Sequence, residues 1–352
     1  MPSRDVDVSV VIPCRDDHLS LLVALDAIAA QDFPASRREV IVVDGGGGEA
    51  ADTAIRARGA RLLSDGGRGP SAARNVGIDA ARGDVVAFTD ADCVPRFDWL
   101  TRLVDPFTQT AEVGGVAGGM RMPRRTLIGR MEDNDARCRY RGYITSNVAY
   151  RREVLLEVGG FDEDLVCAED YDLAWRVMDA GHRIEREPRA IVLHATPEVD
   201  GSLSRYLAKQ HWYARSDVPA HARALARWHA SPDAEGSRRG LHGARDSAQH
   251  AAWVLALGVG VALRSPLILG AALVGGAAAA ARHVAHSATQ VGAGMDELVA
   301  MTAVEAAKRL VRGAGTLAGL AQLARPVRPL PFTLARGSGP WSAPRQPPAI
   351  PA

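Results

Sequence analysis

Short β-branched and apolar runs alternate along the first quarter of the chain with helix-like segments of mixed polarity. Residues 8–12, 40–43, 60–63 and 85–88 read as buried parallel strands, because they are nearly continuous in Val, Ile, Leu and Phe rather than alternating with polar positions. Residues 19–30, 50–58 and 71–82 read as the helices between them. This βαβαβ order predicts an α/β, Rossmann-like, mostly parallel central sheet flanked by helices, with ligand bound beyond the carboxyl ends of the strands.

From Gly114 the pattern becomes irregular: glycine-broken strands, a charged loop through Arg139, a strand near residues 143–150, helices at 152–158 and 169–180, and an apolar run ending at His194. Beyond Ser216 the composition shifts to Ala, Arg and His. The expected organisation is a catalytic domain over residues 1–215, a linker or helical segment over 216–250, a helical region over 251–325 and a Pro-rich disordered tail over 326–352. Two uncharged stretches, 251–263 and 265–281, are separated by Arg264 and broken by Pro266. Each falls short of the roughly 20 residues that cross a bilayer as a helix. They read as a re-entrant or interfacial hairpin over 251–281, with Arg238, Arg239, Arg245 and Arg282 keeping its ends cytoplasmic.

Charge narrows the choice of partner. Lys plus Arg (42) nearly cancels Asp plus Glu (41), so no overall field recruits nucleic acid. Cys14, Cys93, Cys138 and Cys167 show no CxxC spacing and read as free, mostly buried thiols of a reducing compartment. The apolar stretch near the N-terminus is too short for a signal-peptide core. Cytoplasmic residence at the inner face of the cell membrane is the expectation.

The chemistry concentrates after strands. Residues 85–88 run into Thr89-Asp90-Ala91-Asp92, two carboxylates at i and i+2 where a strand ends, a set of hard oxygen ligands suited to Mg²⁺ or Mn²⁺ and through it to a diphosphate. Upstream, Arg68-Gly69-Pro70-Ser71-Ala72-Ala73-Arg74 is a turn feeding a helix whose first N–H groups and guanidinium suit an anion. Glu169, Asp170 and Asp172 open an amphipathic helix, where acids offset the macrodipole and one fixed carboxylate, Asp170, is a candidate general base. His194 adds an imidazole that suits the carboxylate-held metal.

Together these segments resemble the family 2 glycosyltransferases of the GT-A fold. The matching pieces are Val10-Val11-Ile12-Pro13, Val42-Val43-Asp44-Gly45-Gly46, Ser71-Ala72-Ala73-Arg74-Asn75-Val76-Gly77, Asp90-Ala91-Asp92, the run from Thr145 through Asn147 to Arg152, Gly159-Gly160-Phe161-Asp162-Glu163 and Glu169-Asp170. The resemblance implies a nucleotide-sugar donor (UDP-, GDP- or dTDP-linked), with Pro13, Arg15 and Asp44 at the nucleoside, Arg74 near the nucleotide and Asp90 near the ribose. It implies Asp92 and His194 on Mn²⁺ or Mg²⁺, Asp170 as catalytic base of an inverting transfer, and Glu169 and Asn147 beside the acceptor. Asp44 is followed by four glycines where many relatives place a serine, and Gln210-His211-Trp212-Tyr213-Ala214-Arg215 lacks the QxxRW of processive members. Transfer of single sugars to an acceptor hydroxyl, in cell-envelope, glycolipid or polysaccharide synthesis, is the reading that follows.

Three other classes compete. Gly45, Gly47 and Ala50 satisfy a permissive GxGxxG/A after a strand, with Asp65 about twenty residues on, as an NAD(P)-dependent oxidoreductase would use the loop at 45–48. That reading leaves the DxD, the Glu-Asp helix and His194 unused. A non-catalytic scaffold of the same fold has no need of a metal ligand together with a base, and nucleotidyl transfer would release pyrophosphate.

Overall fold

The computed structural model describes residues 8–46, 48–123, 126–138, 143–194, 202–291, 295–321 and 323. The expected strands and helices are present in order: β1 (Val8–Cys14), α1 (His18–Ala29), β2 (Arg38–Asp44), α2 (Glu49–Arg56), β3 (Arg61–Leu63), α3 (Pro70–Ala80) and β4 (Val85–Phe88). Then follow β5 (Cys93–Pro95), α4 (Trp99–Gln109), β6 (Val113–Arg121), α5 (Leu127–Cys138), β7 (Val148–Arg151), α6 (Arg152–Glu157), α7 (Glu169–Asp179) and β8 (Arg183–His194). Five helices complete the described chain: α8 (Leu203–Ser216), α9 (Val218–Ala230), α10 (Glu235–Ala262), α11 (Pro266–Val291) and α12 (Met295–Leu320).

One sheet of 8 strands runs in the order β3-β2-β1-β4-β7-β6-β8-β5. Its β3-β2-β1-β4 half is parallel, whereas β7 is antiparallel to both neighbours and β5 is antiparallel to β8. The period of two along each strand decides which layer a side chain enters. Val8, Val10 and Ile12 point toward Leu21, Leu25 and Ile28 of α1 and Trp99, Leu103 and Phe107 of α4. Val11, Val86 and Phe88 point the other way, toward Ile78 of α3, Leu155 of α6 and Leu173 and Val177 of α7. Gly77 lets α3 approach β1, since a Cβ there would lie 2.3 Å from Val11 Cγ1.

The irregular second half departs from expectation in two places. The charged loop is largely helix α5, whose Ile128 and Met131 pack beneath Tyr206, Val284 and Met301; Arg139 lies outside the described residues. The strand expected at 143–150 starts only at Val148, because a turn precedes it in which the Asn147 amide donates from its N–H to the Ile144 carbonyl.

Helices α8 to α12 form an assembly packed onto the sheet domain through α7 and α5. Gly236 and Gly240 of α10 lie against Trp175, and a Cβ on Gly236 would fall 1.9 Å from the Trp175 carbonyl oxygen. Arg227 of α9 reaches the buried Asp172 at 2.9 Å, and Ser237 donates through its backbone N–H to Asp179 at 2.8 Å. At the far end α10 and α11 make a hairpin turning at Arg264, which has φ +50°. The hairpin is pinned by Trp253, whose Nε1 donates to the Ala272 carbonyl at 2.6 Å. The second apolar stretch is longer than the sequence suggested: Pro266–Ala285, 20 residues of mean hydropathy 1.6, is long and apolar enough to cross a membrane, by length and composition. The tail over 326–352 lies outside the described residues.

Candidate active site

The carboxyl ends of β1 and β2 are paired in register, Pro13 opposite Val43 and Cys14 opposite Asp44, so the loops after them open side by side. Asp44 is buried and its carboxylate is aimed from two directions: His18 Nε2 lies 2.9 Å from Oδ2, and the Gly46 N–H donates to Oδ1 at 3.2 Å. His18 returns to this point because Asp16 takes a left-handed φ of 61° and Asp17 caps α1 through the Ser20 N–H. Pro13 is half-buried and Arg15 is exposed beside it. Asp65 also belongs to this face, but its carboxylate accepts from the Gly67 and Gly69 N–H groups at 3.1 and 2.9 Å. It stabilises its own turn rather than standing ready for a ribose, which takes from the dinucleotide reading the acid it requires. Gly47 lies outside the described residues.

The DxD sits between β4 and β5. The Thr89 N–H donates to the Val11 carbonyl, and the Cys93 N–H closes a turn onto the Asp90 carbonyl, so the chain folds back immediately into β5. Because β5 pairs Cys93 opposite His194 of β8, Asp92 is brought to His194, with Nε2 and Oδ1 3.7 Å apart. Ligand atoms of Asp92, Cys93 and His194 all lie within 4.8 Å of one another. Burial, reinforced by Asp92 and Asp90, holds the Cys93 thiol protonated well above its ordinary range, so the donors available to a hard cation are a carboxylate and an imidazole. Both remain partly exposed, leaving room for oxygens of a bound group, so this pair fits a divalent metal.

Arg74 joins the DxD to the start of α7. Buried on α3, it donates through Nη2 to Asp90 Oδ1 at 3.0 Å and through Nη1 to Glu169 Oε1 at 2.9 Å, with its guanidinium over the Phe161 ring at 5.6 Å. Burial works against its charge, but the Asp90 and Glu169 carboxylates outweigh it and the guanidinium stays protonated. The Phe161 backbone is clamped by Asn75, which accepts from its N–H at 2.8 Å and donates to its carbonyl at 2.9 Å. α7 starts from Ala168 in the left-handed region, φ 58°, an uncommon position for a residue with a Cβ. Asp170 follows, with Oδ1 accepting from the Tyr171 N–H at 2.8 Å. Burial first, then the Glu169 charge, push its carboxyl up to about 8, against the opposing pull of the Tyr171 N–H and Arg74. Glu169 and Asp170, one residue apart, thus have different tasks: one is committed to Arg74, the other holds its proton into the neutral range.

Asn147 does not belong to this group. It is 1% exposed, accepts from Trp99 Nε1 at 2.7 Å and donates to the Gly119 and Ala190 carbonyls, each at 2.8 Å. Its amide ties α4 to β6 and β8, leaving nothing to offer an acceptor. Glu169 likewise meets Arg74 rather than open space. Sequence reasoning missed His18 and Asp217. His18 was legible in part, as a ring one helical turn after the strand-ending Cys14. Asp217, beyond the expected domain boundary, carried no local signal.

Residues 9–159 match the family model described as Glycosyl transferase family 2. The chain is 30% identical over 191 residues to Glycosyltransferase AglE of Haloferax volcanii, covering 50% of this chain and 63% of that one. It is 30% identical over 249 residues to the pre-mycofactocin glycosyltransferase of Mycobacterium tuberculosis, covering 62% of this chain and 48% of that one. The chain therefore spans less than two thirds of the length of these relatives. Its structure resembles that of the mannosyltransferase PcManGT from Pyrobaculum calidifontis in complex with GDP-Man and Mn²⁺, with a TM-score of 0.58 and 22% identity over 90% of this chain and 88% of that one. At that identity the likeness is one of fold, and the fold is GT-A.

Proposed function

We propose that this chain, a member of glycosyl transferase family 2 over residues 9–159, moves a single sugar from a nucleoside-diphosphate sugar to an acceptor hydroxyl, with inversion and with a divalent metal. The observation that carries the reading is the ion-paired chain Asp90–Arg74–Glu169. It draws the end of β4 to the start of α7, with Asp92 two residues from one end and Asp170 adjacent to the other.

Pro13, Arg15 and the pre-aimed Asp44 receive the nucleoside, and Asp90 faces the ribose. Asp92 and His194 would hold Mn²⁺ or Mg²⁺, which when bound would offset the charge developing on the leaving diphosphate. Asp170 takes the proton of the attacking hydroxyl as the acceptor oxygen bonds to the anomeric carbon and the sugar–phosphate bond breaks, its electron pair leaving with the diphosphate. A carboxylate whose proton affinity lies near neutrality is a stronger base than an ordinary one, and such help contributes about 10² to 10⁴ in rate. Arg74, paired with both Asp90 and Glu169, ties the turn that carries Asp92 to the start of the helix that carries Asp170.

The segment 210–215 lacks the QxxRW of processive members, and its Gln210 accepts a hydrogen bond from Arg312 of α12, which supports transfer of one sugar at a time. The exposed apolar faces of α10 and α11 support membrane contact from the cytoplasmic side through residues 251–281, and with it an acceptor at the membrane surface.

A panel of UDP-, GDP- and dTDP-sugars, incubated with the full chain and Mn²⁺, tests the reading by nucleoside diphosphate release. One nucleotide class should be turned over, and chelator should stop it. Release of pyrophosphate, or enhanced NADH fluorescence with no response to any nucleotide sugar, would overturn the assignment.

A further inference from the structure

Asp217 closes α8 and opens α9, far along the chain from the DxD, yet it lies against the turn that leads into α7. Its Oδ1 accepts from the Cys167 thiol at 3.1 Å, and Cys167 immediately precedes the left-handed Ala168. Its Oδ2 faces Arg312 Nη2 at 3.4 Å, while Arg312 Nη1 donates to Gln210 Oε1 at 3.2 Å. The guanidinium reaches this position from α12 because α12 runs in close contact with α8. A Cβ on Gly315 would fall 2.3 Å from the His211 carbonyl oxygen, and one on Gly319 2.5 Å from that of Arg215. The turn before the candidate base is thus braced from the C-terminal helices through Arg312, Asp217 and Cys167.

The same chain sets the charge around Asp170. Glu169 faces it from its own helix, Arg74 from α3, Tyr150 from β7, Cys167 from the preceding turn and Asp217 from the α8–α9 junction. Arg312 and His221 in turn face Asp217. We propose that Arg312 is a positioning residue for sugar transfer: it holds Asp217 against Cys167, fixing the turn from which Asp170 projects, and offsets the Asp217 charge that Asp170 would otherwise feel. The inference rests on Asp170 being the base.

Two substitutions separate this role from simple bracing. Arg312→Gln leaves the Asp217 charge uncompensated, so protonated Asp170 is favoured and its titration moves to higher pH. Asp217→Asn removes that charge and moves it to lower pH. Loss of packing alone gives no reason for opposite shifts. The aspartate carboxyl carbons of the full chain are titrated by ¹³C NMR in chelator, the Asp170 signal being assigned by its loss in Asp170→Asn. Shifts of about half a pH unit or more are expected, upward in Arg312→Gln and downward in Asp217→Asn, with Arg312→Lys close to wild type. Unmoved midpoints in folded variants would overturn the proposal, and if Arg312→Gln does not fold, Arg312→Met, which keeps the aliphatic stem and removes the charge, takes its place with the same upward shift expected. The base reading fails separately: Asp170→Asn retaining full Mn²⁺-dependent nucleotide-sugar turnover removes it, whereas an inactive Asp170→Asn with unmoved midpoints removes only the role of Arg312.

Discussion

The two ends of the C-terminal helical assembly are both rich in Ala, Gly and Leu but differ in charge and in what covers them. At the α7 end, small residues bring helices into contact and each named arginine meets a carboxylate, as Arg227 does with Asp172 and Arg312 with Asp217. At the hairpin end, Leu263, Leu267, Leu273 and Val274 are exposed. The difference teaches that glycine and alanine carry no fixed meaning: opposite a partner backbone they make a rigid bracket, and without one they leave branched neighbours to face whatever surrounds the protein.

The hairpin end offers the largest effect. Leu267 and Val274 are 84% and 70% exposed, and burying each in an apolar phase is worth about 1.5–3 kcal/mol. Replacing both by Ser should weaken sedimentation with anionic vesicles about a hundredfold while donor turnover in solution stays unchanged. Equal binding by the double variant would break the comparison at that end.

The bracket end is tested by Gly236→Ala. Helix propensity favours the change by about 1 kcal/mol, but the new Cβ meets the Trp175 carbonyl, and overpacking of this kind costs about 1–3 kcal/mol or more. Denaturant titration should show a net loss of stability, and a gain would mean that α10 does not press on α7.

The smallest effect concerns the carboxyl that the bracket serves. Asp170 is ionised above about pH 4 in the unfolded chain but holds its proton to about 8 when folded. The folded state therefore binds the extra proton between these values, and the group lowers stability as pH rises through that window. Asp170→Asn should gain stability relative to wild type at pH 8 in chelator, a gain that fades toward pH 4. No pH dependence of the difference between the two proteins would contradict the raised proton affinity.

Legibility followed the same division. The strands of the parallel half and the DxD could be read because each is a contiguous pattern: an apolar run decides a buried strand, and a polar residue at its end is a site by position. Asn147 misled because its motif is local while its role is set by three partners distant in sequence, Trp99, Gly119 and Ala190. The pairing of Asp92 with His194 depended on β5, a strand of 3 residues too short to carry a periodic signal. The Arg312–Asp217–Cys167 contacts were invisible because they arise from helix packing between segments that looked like separate regions.

In the proposed reaction Asp92 grips the cation and Asp170 handles the proton within one site. Mn²⁺ affinity and donor turnover, measured side by side in Asp92→Ala and Asp170→Asn with the donor the panel identifies, test it most directly. Asp92→Ala should lose Mn²⁺ binding and turnover together, whereas Asp170→Asn should bind Mn²⁺ as wild type does and lose about 10² to 10⁴ in rate. Wild-type Mn²⁺ affinity in Asp92→Ala, or undiminished turnover in Asp170→Asn, would contradict it.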